Sequence, residues 1–149
     1  MEDVLFTRQR HEAERAGLHV DYRIVVGDKA LSWATKKLEI PETGKSILLF
    51  EQPTHTREYS LSSHVIPKGN YGAGLQTLEF VRKAKLHPDS TQEHIKFTTT
   101  QGESFLIKKM PEKYGEGAWL FRRIETPRLE KKSNRYLEKI MPEDFYGLS

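Results

Sequence analysis

Between positions 19 and 26 the chain alternates: Val20, Tyr22 and Ile24 take every second position, and His19, Asp21 and Arg23 take those between. A period of two belongs to a strand with one face in a core. This stretch therefore predicts a β-strand whose other face is built of ionisable groups. The same pattern, or a short apolar run bounded by turn residues, recurs at 30–36 (ALSWATK), 46–51 (SILLFE), 75–86 (LQTLEFVRKAKL), 94–100 (HIKFTTT), 104–110 (SFLIKKM) and 118–125 (AWLFRRIE). Turn chemistry separates these runs: Gly27-Asp28, PETGK at 41–45, QPTHTREY at 52–59, the Pro/Gly-rich VIPKGNYGAG at 65–74, and Gln101-Gly102. Short strands at this spacing predict a mainly β fold, a compact closed or partly closed barrel of about seven to eight strands.

Two segments read differently. Residues 7–16 combine a potential cap at Thr7, good helix formers in Glu12, Ala13 and Glu14, and Gly17 as a left-handed terminator, so a short N-terminal helix carrying His11 is expected there. From Pro127 onward the chain is a charged tail with Leu129, Tyr136, Leu137 and Ile140 at roughly helical spacing, or room for one more edge strand. There is no internal repeat. The expected organisation is a single domain over 1–149, with a core over about 10–125 and a tail over 126–149.

Composition narrows the function classes. The chain has 149 residues, 30% charged and 36% hydrophobic, the balance of a soluble domain able to bury a core without staples. With no cysteine, disulfides, thiolate zinc and thiol nucleophiles are excluded. No apolar run reaches signal-peptide or membrane-span length, so a cytoplasmic protein without membrane contact is expected. Net charge is +3, and residues 105–140 carry ten Lys/Arg against five Asp/Glu. That excess suits a polyanion such as nucleic acid, and equally an ordinary solvated surface.

The chemistry lies in the first strand and beside it. His11, His19 and Asp21 offer an N2O ligand set suited to Mn, Fe or Zn, with positions left open for water or substrate. Arg23, in phase with His19 and Asp21, is a planar cationic fork of the kind that meets phosphate or carboxylate. A lone H-x-D is more often structural than ligating. The second histidine and the in-phase arginine move the balance toward a metal site that acts on an anion. His55 and Tyr59 lie four apart in the 52–59 segment; His64, His87 and His94 show no partner pattern and read as surface or structural.

The ordered series His11, His19-Val20-Asp21-Tyr22-Arg23, Ser32-Trp33-Ala34 with Lys37, His55 through Tyr59, and Val65 through Gly74 resembles the 3′-phosphoesterase domain that is attached to, or accompanies, ATP-dependent DNA ligases of the ligase D, end-joining kind. The resemblance covers roughly residues 10–124. It implies a compact β-barrel that uses Mn2+, or another divalent metal such as Zn2+ or Co2+, to heal DNA or RNA-primed DNA 3′ ends. Such enzymes remove a 3′-phosphate, and in some cases a terminal ribonucleoside, to leave a 3′-hydroxyl for ligation or synthesis. By resemblance His11, His19 and Asp21 are the metal ligands, and Arg23, His55 and Tyr59 hold or activate the phosphate, with Lys37 as an added cation. An ATP-dependent DNA ligase is the implied partner, and the implied setting is the cytoplasm, with the nucleoid if the source is prokaryotic. The residue types suit this chemistry: Arg23 and Lys37 would stabilise charge in the transition state, and His55 beside a phosphate dianion would have its pKa raised and act as an acid.

Two other readings use the same residues. One is a non-catalytic module of the same fold that binds nucleic-acid ends, motivated by a His11–His19 spacing two residues longer than the family pattern and by Ser46 where an arginine is expected. The other is an Fe(II) oxygenase, because H-x-D with a distant histidine is also a facial-triad pattern.

Overall fold

The computed structural model describes residues 3–126. Nine strands follow one another, β1 (Asp3–Ala13), β2 (Gly17–Val26), β3 (Lys29–Thr35), β4 (Ser46–Thr56), β5 (His64–Ile66), β6 (Gly74–Leu86), β7 (His94–Thr99), β8 (Ser104–Lys109) and β9 (Ala118–Ile124), with a one-turn helix α1 (Arg57–Ser60) between β4 and β5. All pairings between strands are antiparallel, in the order β1-β2-β3-β4-β9-β8-β7-β6, and β6 returns to β1 to close an eight-strand ring. Closure is narrow at one seam. β6 meets β7 only through Ala84, Lys85 and Leu86, while the other end of β6 is paired by β5. The outcome is a partly closed barrel.

The barrel interior is filled mainly by aromatic rings. Phe6 lies 4.8 Å from Phe97, 5.3 Å from Phe105 and 5.9 Å from Tyr22, centroid to centroid, and Phe121 lies 4.9 Å from Tyr22. Val4, Val20, Ile24, Leu49, Ile95 and Ile107 pack into the same core, with Trp33, Ala84 and Trp119. Arg8 lies toward one end of it. Its guanidinium reaches the Tyr22 hydroxyl (2.8 Å), the Glu79 carboxylate (2.6 Å) and the Leu38 carbonyl, so its charge is satisfied where the apolar packing stops.

The N-terminal helix expected at 7–16 is not formed: those residues belong to β1 and to the hairpin that follows it. Polar residues rich in helix formers suggested a helix with a solvated face. In fact both faces of this strand are covered, Val4 and Phe6 by the barrel and Thr7, Gln9 and His11 by the polar face described below. Thr7 is fully buried and caps nothing. Gly17 does take a left-handed φ of 77°, but to close a hairpin rather than a helix.

Two turn segments also hold strand. β4 runs on through Gln52-Pro53-Thr54-His55-Thr56, with Pro53 and Thr54 opposite a register shift between Ala30 and Ser32, the kind of irregularity where a residue without an N–H is tolerated. Thr56 then caps α1, its Oγ1 accepting from the Tyr59 N–H at 3.1 Å. Residues 65 and 66, expected in the 65–74 loop, pair with β6 together with His64 as β5. Among the described residues the strand count is thus nine rather than the expected seven or eight, eight of them in the ring. The helical or strand reading of the tail beyond Pro127 lies outside the described residues.

Candidate metal centre

Antiparallel pairing of β1 with β2 sets His11 opposite His19, Gln9 opposite Asp21 and Thr7 opposite Arg23. Directly opposed residues share a face, so the H-x-D-x-R of β2 and the T-x-Q-x-H of β1 form one polar surface on the side of the sheet away from the aromatic core. The neighbouring strands extend it: Gln76 of β6 stands beside His11, His64 of β5 beside Gln76, and Ser32 of β3 beside Arg23. α1 and the chain after it lie over this face. They are held down by the Gln9 side-chain amide, which donates to the carbonyls of Tyr59 and Ser62, each at 2.8 Å.

His11, His19 and Asp21 bring one ligand atom each to within 4.8 Å of one another. His11 Nδ1 is 3.0 Å from His19 Nε2, His19 Nε2 is 3.5 Å from Asp21 Oδ1, and His11 Nδ1 is 3.7 Å from Asp21 Oδ2. Donors held about 2.0–2.2 Å from one small divalent cation, in octahedral or tetrahedral geometry, lie roughly 2.8–3.6 Å apart, so the observed separations sit within and just beyond the edges of a coordination polyhedron.

The outer nitrogens tell the same story. His11 Nε2 is 2.6 Å from the Gly72 carbonyl, which can only accept, so Nε2 is the donor there and Nδ1 is the nitrogen that faces inward. His19 has its own backbone hydrogen bond to Gly17. Outward N–H groups fixed on backbone carbonyls, with His11 Nδ1 and His19 Nε2 turned inward beside a carboxylate, are the usual supporting arrangement of metal-bound histidines. The residues present therefore fit a divalent cation.

Electrostatics around Asp21 are tightly coupled. Burial alone would raise its pKa, but hydrogen bonds from His19 and from the Gln76 amide (2.9 Å), with the Arg23 charge 3.9 Å away, outweigh it and hold the carboxyl below its ordinary value. The hydrogen bond to Asp21 correspondingly raises His19, against the pull of burial and of the Lys36 charge.

Arg23 is 2% exposed. Its Nη1 donates to Gln9 Oε1, and its guanidinium lies 5.1 Å from the centre of the Tyr59 ring. Tyr59 stacks on His55 (4.2 Å between centroids) and meets His64 on another side (4.3 Å). Burial raises the Tyr59 phenol, so it stays protonated at neutral pH, while burial and the Arg23 charge lower the pKa of His55 and leave that imidazole neutral in the free protein. A cavity of about 270 Å³ opens beside His55 and Tyr59, walled also by Lys29, Thr54 and Thr56.

Thus His11, His19, Asp21 and Arg23 lie on one continuous surface with His55 and Tyr59 above Arg23. Lys37 is exposed just after β3, its backbone N–H bonded to Thr35 Oγ1, and the lysine charge felt at His19 is that of its neighbour Lys36. Gln9 and Gln76 carry no signal in the sequence reading, His64 reads there as surface or structural, and Gly72 falls in the glycine-rich stretch 65–74 without a role of its own. Gln9 was legible in principle, since it is in phase with His11 once β1 is read as a strand. Gln76 and His64 reach the site only through pairings of β5 and β6 with distant chain. Six buried side-chain polar atoms lack a partner among the described residues, and five of them, on Thr7, Arg23, Ser32, His64 and Gln76, belong to this face. Such clustering marks a surface that leaves hydrogen-bonding capacity for something not part of the chain.

Comparison of the chain with protein-family models gives no match, and comparison with curated proteins gives none either. No helix among the described residues is long and apolar enough to cross a membrane.

Proposed function

We propose that this protein is a divalent-metal-dependent phosphoesterase that removes the 3′-phosphate from DNA ends, with Mn2+ the preferred cation and an ATP-dependent ligase the user of the 3′-hydroxyl. The observation that carries the proposal is the joint placement of the His11–His19–Asp21 cluster and the Arg23 guanidinium on consecutive pairs of one sheet face. The motif series from His11 to Gly74, similar to that of the ligase-associated phosphoesterases, supplies the substrate class, and removal of a terminal ribonucleoside is the further activity that similarity suggests.

In phosphomonoester hydrolysis a water oxygen replaces the 3′-oxygen on phosphorus, and the departing oxygen takes up a proton. A bound divalent cation supplies acidified water and neutralises phosphate oxygens. Asp21 and the inward nitrogens of His11 and His19 would hold it. Arg23 sets a fixed positive charge beneath the reacting group, where burial strengthens it. His55, neutral in the free site, gains basicity as a phosphate dianion approaches, takes up a proton from solvent and gives that proton to the leaving oxygen. The protonated Tyr59 phenol donates a hydrogen bond to the same group, and Lys36 adds its charge on the His19 side.

One observation favours a second reading, an end-binding module without turnover: Arg23 is almost wholly buried and already engages Gln9 and Asp21. A 3′-phosphate-primer assay with Mn2+, Zn2+, Mg2+ and Fe2+ separates the two. Release of inorganic phosphate with Mn2+ is expected. Salt-sensitive DNA binding with no release under any metal would establish the module instead, and oxoglutarate turnover with Fe2+ would point to an oxygenase.

A further inference from the structure

The segment between β5 and β6 supplies the Gly72 carbonyl that fixes the tautomer of His11, and the residue next to it is Tyr71. Tyr71 is 89% exposed, the highest value among the exposed large hydrophobic residues described. Its backbone is nonetheless well held. The Asn70 N–H bonds to the Pro67 carbonyl (3.2 Å), the Ala73 N–H to the Asn70 carbonyl (3.1 Å), and the Glu14 N–H at the β1–β2 hairpin to the Ala73 carbonyl (2.9 Å). Two successive turns, tied to His11 of β1 and to Glu14 of the β1–β2 hairpin, hold the exposed Tyr71 one residue from the carbonyl that contacts His11.

We propose that Tyr71 is the stacking platform for the base of the terminal nucleotide whose 3′-phosphate enters the site; the inference rests on the phosphoesterase reading above. A phenol ring exposed to water and held by an anchored backbone loses little freedom when a planar ligand covers it, which is the condition for effective stacking. Consecutive Cα atoms are about 3.8 Å apart, so the ring is rooted one residue from a direct contact of His11, within the span of a single nucleotide bound at the centre. Every base has a π face, so the contact tolerates sequence, as an enzyme acting on ends of any sequence requires. Lys68, exposed in the first of the two turns, supplies a cation on the same loop for the phosphodiester backbone.

The test compares wild type, Tyr71→Ala and Tyr71→Phe, each loaded with Mn2+, on two 3′-phosphorylated oligonucleotides, one with a normal terminal base and one with an abasic terminal residue. For the normal substrate Tyr71→Ala is expected to raise KM and the Kd from fluorescence anisotropy about 5- to 150-fold, the range of base–aromatic stacking. kcat is expected to change little, and Tyr71→Phe to behave as wild type. On the abasic substrate all three proteins are expected to be alike. Equal losses on both substrates, or none on either, would overturn the platform. Should wild type release no phosphate at all, the phosphoesterase reading fails, while the anisotropy comparison still decides whether Tyr71 stacks on a base.

Discussion

The two faces of the β1–β2 pair are made by the same backbone and solve opposite problems. On one, Val4, Phe6, Val20, Tyr22 and Ile24 are buried against other apolar groups, and removal of water from carbon drives the packing. On the other, Thr7, Gln9, His11, Asp21 and Arg23 are buried almost as deeply, and each must recover the hydrogen bonds it gave up to water. The aromatic face succeeds with its own rings. The polar face succeeds only in part and concentrates the unpartnered buried atoms found among the described residues. The lesson is that burial alone does not separate core from site; how polar groups are satisfied does.

The largest expected effect falls on the polar face. Asp21→Asn, which keeps an acceptor for Gln76 but removes the charge, should abolish both Mn2+ binding by calorimetry and phosphate release, with a thermal midpoint near that of wild type. Retained metal binding in that variant would remove Asp21 from the ligand set. The apolar face should respond the other way. Phe6→Ala is expected to cost about 3–5 kcal/mol in urea unfolding, with metal affinity unchanged in the fraction that remains folded.

Gln9 joins the two problems, because its amide holds the α1 segment and its carbonyl oxygen accepts from Arg23 and from Gln76. Gln9→Leu keeps the bulk and strands those partners. A loss of about 1–3 kcal/mol is expected, with faster amide exchange across 57–63; unchanged exchange there would show that Gln9 is not the strap. Gly72→Ala acts further out. The φ of 77° and a Cβ 3.2 Å from His11 Cε1 would displace the carbonyl that orients His11. Mn2+ affinity should fall about 10-fold, as for other supporting contacts of metal ligands, and an unchanged affinity would mean that His11 needs no such orientation.

The smallest effect lies away from both faces. Burial lowers the pKa of His87, whose Nε2 is 2.9 Å from Thr98 Oγ1. Above pH 6.5 neither folded nor unfolded chain is protonated there. Below it the unfolded chain takes a proton that the folded one resists, so stability falls as pH drops toward the folded pKa. His87→Gln should therefore show a flatter loss of urea midpoint between pH 7.5 and 5.5 than wild type, and an identical slope would exclude this source.

What could be read from the residues alone followed from local periodicity. The alternation of β2 revealed both its strand and the common face of His19, Asp21 and Arg23, and the spacing of six further runs pointed to a partly closed barrel. β1 escaped because its polar face looks solvated until the covering segment is known, and β5 because three residues after a serine-rich turn carry no period. The meeting of His11 with His19 and Asp21, the shelter of Arg23 under Tyr59 and the placing of Gln76 and His64 at the site depend on pairings between distant strands. A strand's own sequence determines which residues share its face, since the pleat is local. Which other strand lies alongside, in which register, is decided only when the ring closes and the whole core is packed.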